Sequence, residues 1–150
     1  MKKLISVIII FICLKISAQS EEKLAVQQTI ETFFKGFHAQ DSIEMKSVVH
    51  GKIILQTIIN VSDGSHQIKT DDFSDFLISI SKIPTEMKFE EKILSYNVQI
   101  DGPMANAWTK YEFWINGALN HCGVNSFQLL KEGEIWKIVY LIDTRRKEGC

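Results

Sequence analysis

Proline is nearly absent from the chain, with two in 150 residues, and both Pro84 and Pro103 stand where one patterned segment gives way to the next. That excludes a Pro-rich spacer, and no internal repeat or low-complexity linker divides the sequence. Glycine is sparse as well, eight in all. None falls in a G-x-S-x-G elbow, a phosphate-binding loop or a dinucleotide fingerprint, which argues against hydrolase, nucleotide and nicotinamide chemistry. The four histidines show neither H-x-H nor H-E-x-x-H spacing, so neither a metal site nor any other cofactor is expected. An excess of basic charge is missing too, with seventeen Lys and Arg against eighteen Asp and Glu. The one basic cluster, Arg145, Arg146 and Lys147, lacks interleaved aromatics and reads as a solvated tail. Nothing draws such a chain to nucleic acid or to an anionic membrane.

Long apolar runs are confined to the start. In MKKLISVIIIFICLKISA, Lys2 and Lys3 precede an apolar stretch from Leu4 to Leu14, and Ser17 with Ala18 offers a small-residue cleavage site before Gln19. This is the pattern of a signal peptide over residues 1–18, and the stretch is shorter than the roughly 20 residues a spanning helix needs. Export with cleavage near Ala18 to the periplasm or medium is the expectation, with no stable membrane anchor afterwards. Ile10, Phe11 and Ile12 are too bulky for the small-residue motif that would lipidate Cys13. The remaining 132 residues, 19–150, suit a single domain with fourteen basic against eighteen acidic residues. Two cysteines survive, Cys122 and Cys150. In an oxidising compartment they are a candidate disulfide, and a buried thiol at Cys122 is the other reading.

What is present is a change of pattern halfway along. SEEKLAVQQTIETFFKGFHAQ predicts an amphipathic helix capped by Ser20, with Ile30, Phe33, Phe34 and Phe37 in one stripe. Asp41, with Glu44 three residues on, caps a short second helix ending near His50 and Gly51. KIILQTIIN and HQIKT flank the turn SDGS as a hairpin, and DDFSDFLISISKI predicts a third helix capped by Thr70. Beyond Pro84 come four strand candidates, FEEKILSYNVQID, ANAWTKYEFWI, ALNHCGVNSFQLLK and EIWKIVYLIDT, separated by DGPM, NG and EG. The order predicts an α+β fold in which N-terminal helices cover one face of a strongly curved antiparallel sheet.

That order, the length and the closing pattern GVNSFQLLKEGEIWKIVYLIDT resemble the nuclear transport factor 2-like superfamily, which includes ketosteroid isomerase-like and polyketide cyclase-like proteins. The resemblance covers nearly all of 19–150 and rests most on the last hairpin. It implies a cone whose curved sheet and helices enclose a pocket. Members of this superfamily serve as isomerases, cyclases, dehydratases, binding modules or dimerisation domains. No activity carries over, because the isomerases' acid and tyrosine have no counterpart motif here.

Taking Asn116-Gly117 and Glu132-Gly133 as two-residue turns sets a register. It places Trp108, Lys110, Glu112 and Trp114 on one face with His121, Gly123, Asn125 and Phe127, and with Trp136, Ile138 and Tyr140. A face of aromatic walls with few polar groups describes a small-molecule pocket, and Gly123 would leave open space between His121 and Asn125. Three readings follow from it. The first is a binding protein with Trp108, Trp114, Asn125, Tyr140 and the helix residue Phe34 around a small partly aromatic molecule. In the second, an isomerase, cyclase or dehydratase uses His121 as acid or base oriented by Glu112 across the hairpin. The third is an interaction module, a homodimer through the outer sheet face.

Overall fold

The computed structural model describes residues 19–61 and 63–150 in full; the leader expected over 1–18 lies outside them. The elements run α1 (Lys2–Ala39), α2 (Ser42–Ser47), β1 (Val49–Asn60), β2 (His66–Asp72), α3 (Phe73–Ser81), β3 (Phe89–Asp101), β4 (Met104–Ile115), β5 (Ala118–Glu132) and β6 (Ile135–Arg146). The six strands form one curved, unclosed sheet in the order β2-β1-β6-β5-β4-β3. Every neighbouring pair is antiparallel except β1 and β6, which run parallel, so the early hairpin extends the later meander into one surface. Among the described residues no helix is long and apolar enough to cross a membrane.

The helical stripe of α1 becomes the core because its apolar residues recur at three and four residue steps. Val26, Ile30 and Phe33 are buried against Phe127, Leu129, Trp136 and Ile138 of the sheet. Removing a buried phenyl ring such as Phe33 costs about 3–5 kcal/mol. Polar pins fix the helix along the sheet. Glu22 accepts from Trp136 Nε1 at 3.0 Å and from Lys131 Nζ at 2.7 Å. Gly36 lets α2 approach, since a Cβ there would stand 2.8 Å from the Met45 backbone nitrogen.

Three local expectations move. Ser20 is not the cap of α1, because the helix bounds precede it. Asp41 does cap α2, accepting from the Ile43 and Glu44 amides at 2.8 and 3.0 Å. However, α2 ends at Ser47, and His50 lies in β1 with its Nδ1 2.5 Å from Glu132 Oε1. The β-branched Val48 and Val49 favour strand there over a further helical turn. The cap of α3 is Asp72, which accepts from Ser74 and Asp75, while Thr70 pairs with Gln56 in the β1–β2 ladder.

The register of the hairpins differs more consequentially. Trp114 pairs with Leu119, as the Asn116-Gly117 turn dictates, but a β-bulge follows and Phe113 pairs with His121. Glu112 therefore faces Cys122, and its side chain points away from that of His121. In the last hairpin Glu132 pairs with Ile135, so the turn residues are Gly133-Glu134, one position later than expected. A second bulge between Gln128 and Leu129 then sets Asn125 opposite Asp143. Each bulge exchanges the faces beyond it, which brings Thr109, Tyr111, Phe113, Leu141 and Asp143 onto the inner side. The inner residues of β5 stay as expected.

Candidate functional site

Between α1, α3 and the concave sheet lies a cavity of about 240 Å³. Its apolar half is lined by Phe33, Phe34, Phe37, Phe76, Phe113 and Leu141. The rings hold one another: Phe37 stacks on Phe76 at 6.0 Å, and Phe34 meets Phe127 edge-on at 6.0 Å. The polar half is lined by Glu91, Tyr111, His121, Asn125, Asp143 and Arg145. Strand alternation produces this division, because Leu55 and Thr57 of β1 neighbour Leu141 and Asp143 of β6 on the same face.

Asp143 is the hub of the polar half. Its Oδ1 accepts from Thr57 Oγ1 at 2.5 Å, and its Oδ2 accepts from Arg145 Nε at 2.8 Å and from the Tyr111 hydroxyl at 3.1 Å. Arg145 also donates through Nη2 to Thr57 Oγ1 at 3.3 Å. Burial works against the arginine charge, but the hydrogen bond and charge of Asp143 outweigh it and raise the guanidinium above its ordinary value. Burial first, and then the charge of Asp143, push the Tyr111 phenol far upward, so it is a neutral donor.

Glu91 enters from the edge strand β3. Its Oε1 accepts from Asn125 Nδ2 at 2.7 Å, and among the described residues Oε2 has no hydrogen-bond partner. Burial, with the nearby Asp143 charge adding to it, pushes this carboxyl from 4.5 up to about 8, although the Asn125 bond and Arg145 pull the other way. At neutral pH it is mostly a carboxylic acid. The backbone is held too. The N–H of Glu91 lies on the outer edge of the sheet and donates to His38 Nε2 at 2.8 Å, so the His38 ring is neutral with its proton on Nδ1. Burial keeps the His38 pKa low, which Glu90 opposes.

His121 stacks on Phe113 at 4.9 Å and has Nδ1 2.9 Å from Asn120 Oδ1. Burial and the Arg145 charge lower its pKa. Gly123 does not open space for a ligand. A Cβ there would fall 1.8 Å from the Thr144 carbonyl and 2.7 Å from the Tyr111 ring, so the glycine seats the tyrosine, whose hydroxyl donates to that same carbonyl at 3.0 Å.

Of the residues expected around a ligand, Phe34, His121 and Asn125 border the cavity. Trp108, Glu112, Trp114 and Tyr140 do not. Trp108 is half exposed on the outer face. Glu112 accepts from Trp114 Nε1 at 3.0 Å, and Lys92 Nζ lies 4.6 Å over the Trp114 ring. Tyr140 donates to Gln56 Oε1 at 2.5 Å. The bulges account for all four displacements. Cys122 and Cys150 form a disulfide with Cα atoms 5.6 Å apart, folding the C-terminal tail back onto β5. Glu91 was missed, although its signal is present in FEEKI: a carboxyl between Phe89 and Ile93 on the apolar face of a strand.

The fold and the cavity define a cone-shaped α+β protein with an amphipathic interior. No family model matches the sequence, and no curated protein matches it. Solved structures do. An NTF2-like protein of unknown function from Shewanella baltica OS155 is 16% identical with a TM-score of 0.61, covering 86% of this chain and 97% of its own. A proposed dehydratase of the NTF2-like family from Streptomyces avermitilis is 12% identical with a TM-score of 0.64, covering 86% and 99%. The β subunit of a proposed aromatic-ring-hydroxylating dioxygenase from Novosphingobium aromaticivorans reaches a TM-score of 0.70 at 11% identity, covering 87% and 92%. The chain has the NTF2-like fold.

Proposed function

We propose that the protein is an exported binder of a small molecule, held between the aromatic stripe of α1 and the polar cluster on the inner sheet face. One observation carries this reading. The cavity joins an aromatic half to a half with convergent polar groups, the arrangement ligand sites share. At about 240 Å³ it falls below the roughly 300–1,000 Å³ of drug-sized pockets, so the ligand is compact. The Cys122–Cys150 disulfide and the leader pattern support export. A thermal-shift screen of the disulfide-intact protein against compact aromatic and alicyclic compounds tests the reading. A ligand at one hundred times its Kd adds about 2.7 kcal/mol of stability. Mass spectrometry of material carried through purification identifies a natural occupant. Absence of any shift, with nothing carried through, rejects the proposal.

A second reading, an isomerase, cyclase or dehydratase, has its own support in the protonated Glu91 carboxyl. A carboxyl poised near 8 in the same cavity as His121 and Tyr111 has a pKa suited to proton transfer near neutral pH. Glu112 has no part in it, because it lies outside the cavity. Turnover that Glu91→Gln abolishes while binding persists would select this reading over simple binding. Association through the outer sheet face is supported by Met104 and Trp108, exposed at 55% and 50%. Sizing at several concentrations tests it, and a concentration-independent monomer rejects it.

A further inference from the structure

The edge strand β3 is tied to α1 at a single polar point. Among the described residues, the bond from the Glu91 N–H to His38 Nε2 at 2.8 Å is the only hydrogen bond between the two elements. As an edge strand, β3 has β4 alone as a strand neighbour. The same histidine also reaches the aromatic wall. Its ring stacks on Phe34 with centroids 6.2 Å apart and planes at 24°, and it lies 5.6 Å from Phe37 and 6.5 Å from Phe89. Phe34 and Glu91 share a further property: both line the cavity, and both line an open groove outside the seam between α1 and β3. They are the partition between the two spaces, and His38 holds both.

An N–H can donate only to a ring nitrogen that carries no proton, so neutral His38 alone fastens the partition. Protonation places a hydrogen on Nε2 where it faces the Glu91 N–H; two donors then meet, and the ring has to turn. The groups around it decide where it goes. Along α1 stand Glu31 and Lys35, before β3 stands Lys88, and β3 itself presents Glu90, Glu91, Lys92 and Tyr96. From β4 and its turn come only the uncharged Trp114 and Gly117. Lys35 is paired with Glu44, Lys88 donates to the Thr85 carbonyl at 3.3 Å, and Lys92 lies 3.6 Å from Glu90. Glu91 titrates at about 8, so it stays an uncharged acid while the histidine changes state. Glu90 is the carboxylate whose charge favours the protonated ring. A ring turned toward it leaves the Glu91 N–H without an acceptor and lifts its face from Phe34. Burial favours the neutral ring, so the fastening holds above the ordinary value of 6.5 and is lost as pH falls below it.

We infer that His38 is a proton-operated latch on the partition between the cavity and the α1–β3 groove. Neutral, it fastens Phe34 and Glu91 shut; protonated, it frees both and opens a second way into the cavity. The latch belongs to the fold whatever occupies the cavity, and it weakens the retention of any occupant on acidification.

Nuclear magnetic resonance of the ligand-free, disulfide-intact protein between pH 7.5 and 4.5 tests the latch. At the upper end the His38 ring should carry its proton on Nδ1. As the ring takes up a second proton, exchange protection of the Glu91 amide should fall about tenfold or more. Broadening of the Phe34 ring signals by a small neutral nitroxide should rise over the same interval, while those of Phe33, at 2% exposure, stay unchanged. His38→Gln offers a neutral acceptor that does not titrate, and should keep the amide protected and both readouts flat. His38→Phe preserves the ring packing without an acceptor, and should leave the amide unprotected at every pH. Three results in the wild type overturn the inference: a proton on Nε2 at pH 7.5, a ring that stays neutral throughout, or a ring that titrates without response at Glu91 and Phe34. A pH step that survives in His38→Gln overturns it as well. None of these readouts involves a ligand, so the small-molecule reading stands or falls separately.

Discussion

Glu91→Gln separates a carboxyl that is merely near a cavity from one whose protonation is built into the folded state. In the folded protein this group titrates at about 8, against 4.5 for an ordinary glutamate. Between those values the folded chain holds a proton that the unfolded chain has released, so the stability of the wild-type protein falls as pH rises through the window. Glutamine is the uncharged isostere. Its carbonyl accepts the Asn125 bond, and it has no proton to lose. The variant and the wild type should therefore match in stability near pH 4. Above that the wild type falls behind by about 1.4 kcal/mol per pH unit, reaching a difference on the order of 5 kcal/mol beyond pH 8. Urea unfolding at half-unit steps from pH 4 to 9, without reductant, measures the difference directly, because other titrating groups are common to both chains. Curves that stay parallel within about 0.5 kcal/mol would show that water or a cation reaches Glu91, and the neutral-acid assignment would fall.

The remaining predictions concern the shell around that group. Gly123→Ala places a methyl on the Thr144 carbonyl and the Tyr111 ring, and should cost about 3 kcal/mol or more in urea unfolding. Reducing the Cys122–Cys150 bond releases a loop of 28-residue separation and should lower stability by about 3–4 kcal/mol, read as a shift in the unfolding midpoint on adding reductant. Thr109 of β4 is fully buried opposite Asn125 of β5, with its hydroxyl unpartnered among the described residues. Thr109→Val should therefore raise stability by about 1 kcal/mol, read as a higher urea midpoint, because it removes a desolvated polar atom at nearly constant volume.

How far the sequence shows this site depends on which local rule decides each residue. Helical spacing alone places Phe34 and Phe37 on the inner face of α1, since a stripe at three and four residue steps has only one apolar surface to cover. The inner positions of β5 follow from alternation through His121, Gly123 and Asn125. On β4 and β6 alternation fails, and it fails for a countable reason. One extra residue at Asn120 and another at Val139 reverse the partner faces, and nothing in composition marks either position. Tyr111, Asp143 and Arg145 consequently reach the cavity although alternation counted from the turns aims all three outward. Glu91 is a different case. It sits in phase with Phe89 and Ile93, and an acid in phase with an apolar face must be paired, protonated or misregistered. The paired alternative fails because Asn125 carries no charge and no cation among the described residues comes within salt-bridge distance. The misregistered alternative fails because Glu91 aligns with Phe113, which lines the same cavity. Protonation is what remains, so the polar half of the cavity gains a hydrogen-bond donor from a residue type that ordinarily supplies only acceptors.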